Sequence, residues 1–186
     1  IVKPEHPDLN EVFFDDVIVP KENLVGEMNN GWAMANGSLA HERGMVWLSL
    51  VMTLEDDVAA VRAEAPAALD RLTPTERAVV ADGLVESAID AVAARCLGYR
   101  GFAKLVRGGS APEQALMKAF TSEAKRRLAR RAAALGADRT VDIGSSAVSD
   151  PTWIERWLMS FGGTISAGSS EIQRNIIAEK VLGLPR

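Results

Sequence analysis

Apolar residues recur at the three- and four-residue spacing of an α-helix along most of the chain. The first stripe follows Gly26, reaches Val61 and is expected to end at Pro66, because proline breaks a helix interior. The second begins at Thr73-Pro74-Thr75-Glu76, a capping box with proline in the first turn, and runs to about Val106. Two long helices are therefore predicted in the first half of the chain.

The second half continues the helical pattern. A second capping box, Ser110 to Glu113, opens a helix that is expected to reach about Val141. Asp150-Pro151 is expected to cap a shorter helix, and a glycine-rich turn over 162–168 leads into a final helix from about Ser169 to Leu182. Long helices joined by short connections predict antiparallel neighbours, so the fold class is all-α, an up-down four-helix bundle.

One segment departs from the helical pattern. Glu11 to Val19 is rich in β-branched and aromatic residues and is followed by Pro20, which predicts one residual N-terminal β-strand. A single strand needs partners, and the helical sequence that follows offers none, so its sheet is expected to lie upstream of Ile1. The predicted organisation is a strand and linker over 1–27 and a helical domain over 28–186.

Composition narrows the classes of function. The 186 residues are 47% hydrophobic and 25% charged, which fits one globular domain. A net charge of −4 argues against a nucleic-acid binder, and Cys96, the single cysteine, excludes an internal disulfide. No apolar run reaches the length of a membrane span, and the first residues lack a signal peptide, so no membrane partner and a cytoplasmic location are expected.

Searches for general catalytic and cofactor-binding motifs identify no site in this sequence. The sequence lacks dinucleotide, phosphate-loop, zinc-protease and nucleophile-elbow motifs, and His6 and His41 are far apart, so no metal site is predicted. A basic run over 125–131 is the densest positive cluster. A solvated or subunit-facing surface is the favoured interpretation of this run, and a site for an anionic ligand is the alternative.

Glu42 and Arg43 interrupt an apolar stretch of the first predicted helix, between Leu39 and Met45. An apolar environment disfavours a charged carboxylate, and proton-transfer catalysts are built in this way. The alternative is a surface glutamate paired with a nearby cation, which the spacing alone favours.

The last 24 residues, GTISAGSSEIQRNIIAEKVLGLPR, resemble the C-terminal signature of the acyl-CoA dehydrogenase family, in its bacterial FadE-type members. EVFFDDVIVPKENLVGEMNNGW is similar to the last strand of that family's β-domain and the approach to its helical domain, and AHERG resembles the start of its first long helix. The resemblance implies that 1–27 is a remnant of the β-domain with its linker and that 28–186 is the C-terminal helical bundle domain.

The resemblance also implies an activity. Family members use FAD, bound at a subunit interface, to convert an acyl-CoA thioester to its trans-2-enoyl product. A carboxylate removes the α-proton, the β-hydrogen leaves as hydride, and an electron-transfer flavoprotein or similar acceptor reoxidises the flavin. A homo- or hetero-oligomer, dimer or tetramer, is expected. The fragment alone is expected to be inactive, because the first two domains complete both pockets.

Site residues follow from the resemblance position by position. Ala167 occupies the place of the most common base, and Glu42 the place that supplies it in a subset of the family, so Glu42 is the candidate base and Arg43 its positioning partner. The backbone amide of Ala167 is expected to donate to the thioester carbonyl. Gly168, Ser169, Ser170 and Glu171 correspond to the contact with the flavin phosphates, where a helix N-terminus also suits an anion.

Two segments depart from the family pattern. Relatives hold the FAD of the adjoining subunit with an Arg-x-Phe-Gly element and a later glutamine-glycine element, whereas the corresponding stretches here are 61–65, VRAEA, and 142–146, DIGSS. These departures favour an alternative function, that of a non-catalytic or flavin-deficient structural partner subunit in a heteromeric enzyme.

Overall fold

The computed structural model describes residues 11–109, 113–136 and 151–185, without the side chains of 39–45 and 113–114. These residues form helices α1 (Gly31–Leu69), α2 (Pro74–Val106), α3 (Glu113–Leu135), α4 (Trp153–Gly163) and α5 (Ser170–Ile176), with a 3₁₀ turn at Lys21–Asn23 and a π-helical turn at Ile177–Val181. The prediction of an all-α fold is confirmed. The four-helix arrangement and the domain boundaries stay predictions.

The strand predicted over Glu11–Val19 does not form in the described part of the chain. Residues 11–20 are irregular and exposed, with a bend at Asp15–Asp16, where Asp16 adopts a positive φ of 48°. A strand is stable only when a neighbour takes its backbone hydrogen bonds, and the described residues offer no such neighbour. The β-branched composition therefore gives this segment a propensity for β-strand, but a strand forms only where a neighbouring strand is present.

The helix ends test the capping signals. Thr73 caps α2, with its hydroxyl accepting from the Glu76 amide at 3.4 Å and its own amide donating to the Glu76 carboxylate at 2.9 Å, which confirms the capping box. The prediction that Pro66 ends α1 is wrong, because the helix continues to Leu69. Proline removes only its own N–H bond, and the Asp70 amide still bonds to the Pro66 carbonyl at 3.2 Å.

The third helix is shorter than predicted. Its α-helical residues end at Leu135, and the Gly136 amide closes the last turn on the Ala132 carbonyl at 3.2 Å. A glycine directly after the last apolar residue is a common helix end. The predicted end at Val141 and the capping residues Ser110–Pro112 lie outside the described residues.

The cap of α4 differs from the prediction. Thr152, rather than Asp150-Pro151, is the N-cap, and it forms a capping box with the buried Glu155. Pro151 has no part in this box, and Asp150 lies outside the described residues. The final helix begins as predicted, with Ser169 as its N-cap, but changes to π-helical geometry after Ile176.

Helices α1, α2 and α3 share one hydrophobic core, built from Trp47, Val51, Leu54, Val61, Ala91, Ala94, Met117, Ala124, Leu128 and Ala132. The buried face of α2 is lined by small residues, with Gly98 against the Trp47 indole. Leu84 and Leu97 of the predicted α2 stripe pack against this core, whereas Val79, Ile89 and Val92 are more than half exposed. Small residues let the helix axes approach closely, and this displaces the large apolar ones to the outside.

Ion pairs connect the long helices and explain the basic run. Glu55 of α1 accepts from Arg95 of α2 at 2.6 Å, and Asp90 of α2 accepts from Arg127 of α3 at 2.6 Å. Arg131 pairs with Glu86 and also donates to the Gly83 carbonyl at 2.8 Å. Part of the run therefore pairs with acids on a neighbouring helix while Arg127 and Arg130 stay exposed, and a solvated or subunit-facing surface stays the favoured interpretation. Among the described helices, none is both long enough and apolar enough to cross a bilayer.

Candidate functional site

A cavity of about 400 Å³ lies between α1, α3, α4 and the turn that precedes α5. One face of α3 lines it at helical spacing, with Lys118, Ser122, Lys125 and Ala129. The other walls come from Val46, Leu50, Thr53 and Asp57 of α1, from Arg156, Met159, Ser160 and Gly163 of α4, and from Pro151, Ser166 and Ala167. Its size suits a small-molecule ligand.

The turn at one end of this cavity is held in an unusual backbone conformation. Ala167 has a φ of 54° and Gly168 a φ of 96°, both in the left-handed region. Two side chains fix the turn: Gln173, only 2% exposed, donates to the Ala167 carbonyl at 2.8 Å, and Lys118 donates to the Gly168 carbonyl at 2.6 Å. A Cβ on Gly168 would lie 2.7 Å from the Gln173 amide nitrogen, so a side chain at this position would displace the Gln173 amide.

The N–H of Ala167 has no acceptor among the described residues, although the carbonyls of Ala167 and Gly168 both accept a hydrogen bond. Ala167 lines the cavity. A fixed main-chain donor beside a cavity is the element from which an oxyanion site is built. Partial burial of Lys118 lowers its pKa, against the opposing effects of Glu123 and Glu171.

The other end of the cavity carries a charge cluster. Arg156 donates to one oxygen of Asp57 at 2.8 Å, and the ammonium of Lys125 lies 3.7 Å from the other. The Arg156 guanidinium also donates through Nε to the Pro151 carbonyl at 3.1 Å. The two ends of the cavity therefore differ: one offers a backbone N–H donor, and the other has two cations around the Asp57 carboxylate.

The predicted base and its partner are only partly described. The backbones of Glu42 and Arg43 belong to α1, but their side chains lie outside the described residues. Their predicted roles therefore rest on the sequence.

Several donors at and beside the predicted phosphate contact, Gly168–Glu171, are used within the protein. The Ser170 amide donates to the Thr164 carbonyl, the Ile172 amide to the Ser169 hydroxyl and the Gln173 amide to the Ser169 carbonyl. The Ser170 hydroxyl is also used, donating to Glu123 at 2.8 Å.

Glu171 places a negative charge at the same helix end. Its carboxylate accepts from its own backbone N–H and from the Ser169 hydroxyl, which hold its pKa below the usual range. A phosphate would have to displace this carboxylate. The predicted contact of Gly168, Ser169, Ser170 and Glu171 with the flavin phosphates therefore stays a prediction, in which the phosphate would compete with the Glu171 carboxylate.

The chain is similar to known proteins in both sequence and structure. Residues 29–182 match the family described as "Acyl-CoA dehydrogenase, C-terminal domain". The chain belongs to the acyl-CoA dehydrogenase family. The acyl-CoA dehydrogenase IpdE1 of Mycobacterium tuberculosis (strain ATCC 25618 / H37Rv) is 32% identical over 186 residues, covering 96% of this chain and 45% of the relative. The chain thus spans less than half the length of this acyl-CoA dehydrogenase.

Solved structures share the fold. The Tcur3481-Tcur3483 steroid ACAD superposes with a TM-score of 0.71 at 24% identity, covering 94% of this chain and 45% of the solved chain. The FAD complex of PigA superposes with a TM-score of 0.73 at 22% identity, covering 92% of this chain and 43% of the other. At these identities the likeness establishes the fold of an acyl-CoA dehydrogenase domain.

Sequence reasoning found the turn but missed its supports. Asp57 and Arg156 are 99 residues apart, and Lys118 and Gly168 are 50 apart, so no local pattern links them. Gln173 lies within the recognised SEIQRN segment, and a glutamine five residues after a glycine turn was its only sequence signal.

In the described part of the chain, no group of three or more histidine, cysteine or acidic residues is arranged to hold a metal.

Proposed function

We propose that residues 28–186 are the C-terminal helical domain of an FAD-dependent acyl-CoA dehydrogenase, and that 1–27 are a β-domain remnant with its linker. The whole protein would convert an acyl-CoA thioester to trans-2-enoyl-CoA, as a homo- or hetero-oligomer that passes electrons to an electron-transfer flavoprotein or similar acceptor. The observation that carries this proposal is the cavity beside the unbonded Ala167 amide, in a chain of this family.

We also propose the up-down four-helix bundle, in which α1, α2 and α3 are three faces and the shorter helices α4 and α5 together supply the fourth. The ion pairs between α2 and α3 support opposite directions for these two helices, because Asp90 and Glu86 of α2 meet Arg127 and Arg131 of α3 in reverse order. Such bundles hold their sites between facing helices, as this cavity is held.

In the proposed mechanism, the Ala167 N–H donates to the carbonyl oxygen of the thioester. Removing the α-proton places negative charge on that oxygen, and a preorganised donor of this kind contributes about 3 to 4 kcal/mol to the transition state. The bonds from Gln173 and Lys118 to the adjoining carbonyls support this role, because they fix the turn before substrate arrives. Lys118 also adds positive charge near the developing oxyanion.

Glu42 is the proposed base, and Arg43 its positioning residue. The support is in the sequence, where alanine occupies position 167 and glutamate position 42. In the whole enzyme, Glu42→Gln should slow exchange of the substrate α-hydrogen in D₂O at least about 100-fold, the usual contribution of a general base. Mass spectrometry of the acyl-CoA measures this exchange. Glu55→Gln, on the same helix but paired with Arg95, is the control. Rapid exchange in Glu42→Gln would remove Glu42 from the mechanism.

A second function is favoured by the Glu171 carboxylate at the start of α5, which accepts from its own backbone N–H. A helix end that already holds Glu171 has little affinity for a flavin phosphate, which supports a flavin-deficient structural partner in a heteromeric acyl-CoA dehydrogenase. Coexpression with a neighbouring paralogue distinguishes the two functions by absorbance. A full-length protein that is yellow when purified alone supports the self-sufficient enzyme, and one that becomes yellow only with the second polypeptide supports the partner subunit.

A further inference from the structure

The cavity has two ends with different chemistry. The proximal end is defined by Ala167 and Lys118, and the distal end by Asp57, Lys125 and Arg156. Lys118 and Lys125 are seven residues apart on α3, which places the ends about 10 Å apart along the helix axis. Leu50 and Met159 line the cavity between them. A ligand that spans the cavity therefore passes an apolar wall and then meets charged groups.

At the distal end, two cations lie around the same carboxylate. Asp57, whose side chain is 12% exposed, is paired with both Lys125 and Arg156. Arg156 bonds directly to Asp57, but Lys125 at 3.7 Å is beyond hydrogen-bond distance. No acceptor among the described residues takes a hydrogen bond from the Lys125 ammonium, so its donors are available to a ligand.

We infer that the distal end selects an acyl-CoA whose acyl group carries an acceptor oxygen, a carboxylate or a ketone, at the end remote from the thioester. This inference rests on the proposed function for the placement of the thioester at Ala167. Lys125 is the specificity-determining residue, since its N–H donors reach the acceptor, and Arg156 supplies a fixed second cation. A purely apolar acyl end would desolvate these cations and gain no hydrogen bond in return.

An ordinary helix-to-helix ion pair is the competing explanation of the cluster. Arg127 and Asp90 form such a pair on the same helix α3, at 2.6 Å, and neither lines the cavity. Lys125 differs from Arg127 in both respects, because it lines the cavity and is not hydrogen-bonded to its acid. Arg127→Met is therefore a matched control for Lys125→Met.

The test uses the full-length protein with its partner subunits and three acyl-CoA esters of equal chain length, ending in a methyl, a ketone or a carboxylate. Calorimetry measures the dissociation constant of each ester, and enoyl-CoA formation is followed separately. The oxygen-bearing esters are expected to bind about tenfold more tightly than the methyl ester, the effect of one hydrogen bond from a charged donor. Lys125→Met should bring this ratio close to one, Lys125→Arg should restore it, and Arg127→Met should leave it high.

The carboxylate and ketone esters separate charge from hydrogen bonding, and either preference supports the inference. Equal binding of all three esters, no binding, or the same ratio in Lys125→Met and the unmodified protein would overturn it. Selective binding without enoyl-CoA formation would refute the proposed function and leave the inference standing. Turnover of all three esters with no dependence on Lys125 would support the proposed function and refute the inference about the distal end.

Discussion

Gly168→Ala tests whether the turn beside the cavity is as rigid as its contacts indicate. The φ of 96° is unfavourable for a residue with a Cβ, at a cost of about 1 to 2 kcal/mol. The new Cβ would also lie 2.7 Å from the Gln173 amide nitrogen and displace the bond from Gln173 to the Ala167 carbonyl, a further loss of about 1 kcal/mol. The expected decrease in the free energy of unfolding is about 2 to 3 kcal/mol.

Urea unfolding of the full-length protein, followed by circular dichroism, measures this decrease. With an m-value of about 2 kcal/mol/M, the midpoint of unfolding should fall by about 1 M. Gly162→Ala is the matched control, because its Cβ would meet nothing within 4 Å inside α4, and alanine should stabilise that helix by about 0.5 to 1 kcal/mol.

A Gln173→Ala background separates the two parts of the cost. The clash disappears there and only the backbone cost remains, so the effects of the two substitutions should be less than additive. If Gly168→Ala is no less stable than Gly162→Ala, the turn is not fixed as described, and the argument for a preorganised Ala167 amide fails with it.

Three further substitutions test the packing, the capping and the charge around the site. Leu54→Ala, at a core position 1% exposed, should lower the free energy of unfolding by about 2 to 5 kcal/mol, against less than about 0.5 kcal/mol for Met52→Ala, which is 53% exposed; equal effects would contradict the assigned core. Thr152→Ala removes the cap of α4 and should cost about 1 kcal/mol, which Thr152→Ser should largely restore, as urea midpoints will show. Burial lowers the pKa of Lys118 from 10.5, so the unfolded chain binds more protons just below that pH and the contribution of Lys118 to stability rises with pH there. Lys118→Met should lose this rise in the pH range just below 10.5, and an unchanged pH profile would refute the direction of the shift.

Local sequence signals predicted the helices well where the cause of the structure is local. The Thr73 capping box needs only residues within one turn, so the start of α2 could be read from the sequence. The strand predicted over 11–19 depends on partners, and the choice of buried residues on α2 depends on how closely its neighbours approach, so neither follows from local signals. Val79, Ile89 and Val92 of the apolar stripe are exposed for this reason. Small residues such as Ala94 and Gly98 carry no strong apolar signal, yet they form the buried face.

The site was predictable only as far as its residues are contiguous. The segment from Ala167 to Glu171 was recognised as a unit, and the structure gives its backbone an unusual conformation beside a cavity. The hydrogen bond from the Ser170 amide to the Thr164 carbonyl could not be foreseen, because it forms only when the turn itself folds. The distal cluster brings together α1, α3 and α4, and no spacing rule joins residues that distant in the chain.

The contact between Gly98 and Trp47 has a consequence for the evolution of this domain. A Cβ at position 98 would lie 2.3 Å from the indole ring, so no other residue fits there while tryptophan occupies position 47. Related sequences with alanine or serine at 98 should therefore carry a smaller residue at 47, and the two positions should change together. If position 98 became alanine while tryptophan stayed at position 47, the two helices would have to move apart. The replacement of Trp47 by a smaller residue is therefore expected to come before the replacement of Gly98.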